Sequence, residues 1–138
     1  MRTLHLGLRV AHRDRSLAFY TAVGYEVVGE VPDTDLGHLT MLKLPGDDVV
    51  AIELVHAADD APVGTDTRLS HLVIQVDAMD ATLAELAARG IAVDAPTSPD
   101  GSDDLWTTWI VDPDGNRIEL VQWPAGHAAG MTAADFSE

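Results

Sequence analysis

Ile52-Glu53-Leu54-Val55 and Ile118-Glu119-Leu120-Val121 are one tetrapeptide written twice, an offset of 66 positions. Working outward at the same offset, Leu6 falls on Leu72, Val10 on Val76, Asp14 on Asp80 and Leu17 on Leu83. Ala18 then falls on Ala84, Ala22 on Ala88, Gly24 on Gly90 and Val27 on Val93. A single ungapped shift that preserves a glycine, an aspartate and a tetrapeptide marks two copies of one unit.

Each copy reads alike. Leu4–Val10 alternates apolar with other residues, the signature of a half-buried strand. Asp14 opens a helix through Ala22, and Gly24 stands where a helix end wants a left-handed residue. A strand follows over Tyr25–Gly29, then a polar loop holding Pro32, Asp33, Asp35 and Gly37. Strands at His38–Leu44 and Val49–Val55 are joined by the turn residues Pro45-Gly46-Asp47-Asp48. The second copy predicts strand Ser70–Asp77, helix Met79–Arg89 stopped by Gly90, and strand Ile91–Ala95. After a long loop from Pro96 to Asp104 come strand Leu105–Val111, turn Asp112-Pro113-Asp114-Gly115 and strand Asn116–Trp123. The expected fold is α+β: two tandem βαβββ modules forming a cupped mixed β-sheet with helices on the outside. It makes one domain over 1–123, with modules at about 1–57 and 69–123, a linker at 58–68 and a tail at 124–138.

Strand parity then selects residues. Successive side chains point to opposite faces, so Leu6, Leu8 and Val10 oppose His5, Gly7 and Arg9. Leu72, Ile74 and Val76 oppose His71, Val73 and Gln75. Glu53 opposes Ile52 and Leu54, and Glu119 opposes Ile118 and Leu120. The Leu/Ile face suits packing under each module's helix, which leaves the His or Glu free to line a cavity. His5 precedes Glu53 by the same 48 residues that separate His71 from Glu119. A lone strand histidine is usually a hydrogen-bonded structural residue, and a lone strand glutamate a solvated one. Fourfold recurrence at one offset and one facing outweighs those readings. Two imidazoles and two carboxylates form a nitrogen and oxygen donor set suited to Zn²⁺, Ni²⁺, Co²⁺ or Mn²⁺. In an octahedron they leave positions open for water or substrate, a catalytic arrangement. His12, His38, His56 and His127 do not recur and are expected at the surface.

Composition restricts the partners. A net charge of −15 argues against nucleic acid, which needs a basic face. With 8 Lys and Arg, the counter-charges available to an anionic ligand near strands or site reduce to Arg9, Lys43, Arg68 and Arg117. Without cysteine there is no disulfide and no thiolate ligand. Met1–His5 lacks the apolar stretch of a signal peptide, and no run approaches the roughly 20 apolar residues of a membrane span, so a cytoplasmic protein without a membrane partner is expected.

A repeated βαβββ unit with His on each first strand resembles the vicinal oxygen chelate superfamily. Leu4-His5-Leu6-Gly7-Leu8-Arg9-Val10, Leu17-Ala18-Phe19-Tyr20, His71-Leu72-Val73-Ile74 and the run from Asp112 to Leu120 resemble its bacterial glyoxalase I branch. The His-Glu-His-Glu order at 5, 53, 71 and 119 agrees with that branch. Methylmalonyl-CoA epimerases tend to carry Gln at the second place, and the extradiol dioxygenases use three ligands. The resemblance implies a lyase that isomerises the hemithioacetal of an α-keto aldehyde such as methylglyoxal and a small thiol. Its product is a 2-hydroxyacyl thioester. It implies one divalent ion per site, Ni²⁺ or Zn²⁺ with Co²⁺ or Mn²⁺ as alternatives, Glu119 as principal base with Glu53 as ligand and second base, Arg9 on the thiol's carboxylate, and a homodimer. The segment Pro99–Asp104 departs from the pattern, since its three aspartates would repel an anionic thiol. The same fold also houses epimerases of 2-substituted acyl-CoA-like substrates and non-catalytic drug-binding proteins, for which Trp106, Trp109 and Trp123 could supply stacking faces.

Overall fold

The computed structural model describes residues 5–34, 36–57, 69 and 71–127. Their elements follow the order β1 (Leu6–Val10), α1 (Arg13–Val23), β2 (Glu26–Thr34), β3 (Gly37–Lys43) and β4 (Ile52–His56). The second copy supplies β5 (Leu72–Gln75), α2 (Met79–Ala88), β6 (Trp106–Val111) and β7 (Arg117–Gln122). The strands form two mixed sheets, one per copy, in the orders β1-β4-β3-β2 and β5-β7-β6. The chain is α+β, and its fold is that of two βαβββ modules.

Two compact units follow the repeat. Unit 1 comprises 1–68 together with Asp112–Gly115, and unit 2 takes Leu69–Val111 with Asn116–Glu138. In each, the first strand pairs parallel with the last, and the last pairs antiparallel with its hairpin partner. Strands β4 and β7 are therefore flanked on both edges, and they carry the densest core. Ile52 and Ile118 have no exposed surface, and Leu54 and Leu120 are equally hidden. Burial of each such side chain contributes about 1.5–3 kcal/mol.

The helices owe their positions to their sequence. In α1 the buried residues Ser16 and Tyr20 lie four apart on one face, and Gly24 ends the helix at φ 127°, its N–H returning to Tyr20 and Thr21. In α2 Met79 and Leu86 face inward, and Gly90 follows at φ 79°. His12, the residue before α1, offers no side-chain cap. Asp114, from the β6–β7 turn, lies beside the helix start, accepting from the Ala11 N–H at 3.1 Å and the Ser16 hydroxyl at 3.0 Å. The turn thereby brings a carboxylate to the start of α1, where a negative charge is favoured.

Three expectations change. The polar loop expected at 32–37 is largely strand among the described residues: β2 runs to Thr34 and β3 begins at Gly37, with the Thr34 hydroxyl donating to the Gly37 carbonyl at 2.7 Å. Strand Ile91–Ala95 is reduced to single contacts with β6, from Asp94 N–H to the Trp109 carbonyl and between Thr97 and Thr107. Alanines, Asp94 and the donorless Pro96 give this stretch weak strand propensity. Finally, the offset of 66 slips by two residues in the third strands. Leu42 pairs with Ile52 whereas Ile110 pairs with Ile118, so Thr40 corresponds to Thr108 and Met41 to Trp109. Both threonines are buried, at 0% and 1% exposure, which corroborates the equivalence.

Candidate metal centre

The parallel pairing places the donors. Gly7 lies opposite Glu53, and Val73 lies opposite Glu119. His5 and His71 each stand two residues before those positions, on the same face and one side-chain repeat along the strand. Both pairs close. His5 Nε2 lies 3.4 Å from Glu53 Oε2, and His71 Nε2 lies 3.7 Å from Glu119 Oε2. The imidazoles are about one-third exposed, at 37% and 36%, and the carboxylates less so, at 14% and 22%.

These distances bear on a metal ion. Two donors bound roughly 2.1 Å from one ion stand about 3.0–3.4 Å apart across an octahedral or tetrahedral edge. The first pair meets that spacing and the second exceeds it by a few tenths of an ångström, so within each unit the imidazole and carboxylate are close to the separation of two donors on one ion. Among the described residues, no group of three or more His, Asp or Glu side chains forms. Each unit thus carries one His–Glu pair. The face that holds the donors is not uniformly open: Val55 and Val121, two residues beyond each glutamate, are buried.

Arg9 is exposed on β1, opposite Val55, on the same face as His5 by parity. Lys43 donates to the Asp47 carbonyl at 3.3 Å, and Arg68 lies outside the described residues. Two of the remaining histidines correct the expectation of a plain surface role. His38 has a side chain only 26% exposed, with Nε2 3.4 Å from Glu30, and His127 stacks on Trp123 at 4.5 Å. Of the expected tail, residues up to His127 are described.

Sequence reasoning missed the neighbours of the second pair. Trp109 meets the His71 ring edge-on at 5.2 Å, and the Arg117 guanidinium lies 4.1 Å from the Trp109 ring centroid. The signal was present, since Trp109 sits directly opposite Glu119, but the uncorrected offset aligned it with Lys43 instead of Met41. The Asp-rich segment is also defined. Asp100 accepts from Ser102 and Ser98, and the Ser102 bonds hold its carboxyl below the usual carboxylate range, so it stays ionised.

Comparison with known proteins agrees with this architecture. The chain is 31% identical over 130 residues to a probable lactoylglutathione lyase of Vibrio cholerae serotype O1, covering 92% of this chain and 94% of that one. The trypanothione-dependent glyoxalase I of Leishmania major superposes with a TM-score of 0.70 at 26% identity, covering 88% and 86% of the two chains. An antibiotic binding protein from Streptomyces sp. CB03234 superposes equally well, with a TM-score of 0.70 at 27% identity over 91% and 98%. The family model of the Glyoxalase/Bleomycin resistance protein/Dioxygenase superfamily matches residues 2–120, and the chain belongs to that superfamily.

Proposed function

We propose that this protein is a metal-dependent lyase of the glyoxalase I type, acting on the hemithioacetal of an α-keto aldehyde and a low-molecular-weight thiol. The observation that carries the reading is the doubled His–Glu pairing: one register, two copies, 3.4 and 3.7 Å. His5, Glu53, His71 and Glu119 would hold one divalent ion, Ni²⁺ or Zn²⁺ by donor type, with Co²⁺ or Mn²⁺ compatible. Such an ion supplies Lewis-acid polarisation of adjacent substrate oxygens.

The chain's own residues supply the rest. Glu119 removes the proton from the thiol-bearing carbon and returns it to the neighbouring carbonyl carbon, so the reaction is an isomerisation with no external oxidant or reductant. Glu53 acts as ligand and second base. Arg9 offers its guanidinium to the thiol's carboxylate. Ionised Asp100, with Asp103 and Asp104 beside it and −15 net charge overall, disfavours strongly anionic thiols. The favoured thiol is therefore less negatively charged than glutathione. The functional form is a homodimer, which supplies two copies of each donor pair.

The test is thioester formation from methylglyoxal with neutral and anionic thiols, after loading with Ni²⁺, Co²⁺ or Zn²⁺. Glu119→Gln should lower kcat by about 10²–10⁴-fold. Full activity in a metal-loaded Glu119→Gln protein would remove the base assignment. No turnover with any thiol would remove the lyase reading. A second reading, a non-catalytic binder, is favoured by the likeness to the Streptomyces antibiotic binding protein. It predicts a protein that takes up no divalent ion, and light scattering that finds a monomer would remove the dimer.

A further inference from the structure

The two copies differ where they would be expected to match. On the face of the second sheet that carries Glu119, Trp109 lies directly opposite it on β6, and Arg117 precedes it by two residues on β7. Arg117 and Trp109 are thus diagonal neighbours, close enough for long side chains to meet. Their contact is a guanidinium over an indole face, 4.1 Å from the ring centroid. The same indole reaches His71, meeting the imidazole at 5.2 Å with the planes 78° apart. Arg117, Trp109, His71 and Glu119 form a continuous series of contacts. In the first copy the corresponding places hold Ala51 and Met41, which can build neither contact.

We propose that Trp109, held by Arg117, is a positioning residue for His71, fixing the imidazole in the orientation that presents Nε2 beside Glu119. The inference rests on the metal-centre reading above. An imidazole turns about a broad, roughly two-fold torsion, and this one is one-third exposed. The T-shaped contact with the indole restricts that rotation. The indole would itself be free to swing, because Trp109 is only half-buried, but the guanidinium covers its face. The indole thus restrains the second pair before any ion arrives, whereas among the described residues the first pair has no such stack. Partners that orient a metal-binding histidine typically change metal affinity about 10–100-fold when removed.

The experiment uses the full chain, stripped of metal with a chelator, as wild type, Trp109→Ala, Trp109→Phe and Arg117→Ala. Ni²⁺ affinity is measured by calorimetry, and the His71 ring resonances by NMR on the apo-protein. Trp109→Ala should weaken Ni²⁺ binding by about 10–100-fold. Trp109→Phe, which keeps an aromatic edge, should restore it to within about threefold. In the apo-protein, Trp109→Ala should shift the His71 resonances as the indole ring current is lost. Arg117→Ala removes an exposed side chain and leaves no core cavity, so it decides the matter if Trp109→Ala does not fold. It should weaken binding several-fold and broaden or shift the same resonances. Unchanged affinity and unchanged His71 resonances in the folded variants would overturn the positioning role alone. A wild-type protein that binds no Ni²⁺, Co²⁺ or Zn²⁺ would overturn the centre itself, and the role of Trp109 with it.

Discussion

Tyr20 has no exposed surface, yet its phenol is satisfied, donating to Asp112 Oδ2 at 2.7 Å across 92 residues of chain. Tyr20→Phe keeps the ring's packing and leaves a buried carboxylate short of a donor, so denaturant unfolding should show a loss of about 1–3 kcal/mol. An unchanged midpoint would mean that water or another donor replaces the phenol. Burial, then the charge of Asp112, pushes the Tyr20 pKa well above the usual phenol value, and burial does the same for Tyr25. These are the chain's 2 tyrosines. A pKa raised by folding stabilises the protein fully below the unfolded value near 10, and that contribution is lost as pH rises from there toward the folded values. Phenolate absorbance should therefore stay flat through pH 10 while the fold persists, then rise together with unfolding. A separate native-state titration near pH 10 would contradict this environment.

Among the elements, the start of β3 leaves little room for change. Gly37 holds φ 116°, and a Cβ there would collide with the His56 carbonyl on β4. Gly37→Ala should destabilise by more than about 2 kcal/mol, through both the backbone conformation and the clash. Gly46, in the β3–β4 turn, has open space around it, and Gly46→Ala should stay within about 0.5 kcal/mol of wild type. Equal effects in paired melting curves would show that the turn relaxes. The long β2 edge is guarded in a different way, by register irregularities after Val27 and Val31 and by Pro32. Bulges and proline hinder further strand pairing there.

At the scale of the whole molecule, the duplication repeats one geometry: each unit holds a His–Glu pair beside strands joined in the same parallel register. On the proposed metal-centre reading, an ion held by these pairs would bind the folded state in preference to the unfolded chain. At a hundredfold excess over its Kd it should add about 2.7 kcal/mol. Melting temperature should then rise on the order of 10 °C on loading with Ni²⁺ or Zn²⁺, and fall back on chelation. A melting temperature indifferent to both treatments would count against the centre. Among the described residues no helix is long and apolar enough to cross a membrane.

What was legible in the sequence is what short-range physics writes there. The period-two alternation of β1 and β4 and the helix stops at Gly24 and Gly90 rest on residues near one another in the chain, and the doubled Ile-Glu-Leu-Val shows the same local pattern written twice. Parity then placed His5 with Glu53, and His71 with Glu119, on common faces, and the structure brings each pair together. The two-residue slip of β3 against β6 was illegible because loops absorb length differences without altering the strands they join. The weakness of Ile91–Ala95 depended on what β6 could offer it as a partner. The placement of Asp112 and Asp114 on α1, and of Trp109 between Arg117 and His71, belongs to tertiary structure alone. Those contacts join residues on separate elements, and in the case of the turn they span 92 to 103 positions, beyond the reach of any local pattern. Sequence determined the repeat and the two His–Glu pairings that follow from strand parity; the packing of distant segments decided what surrounds them.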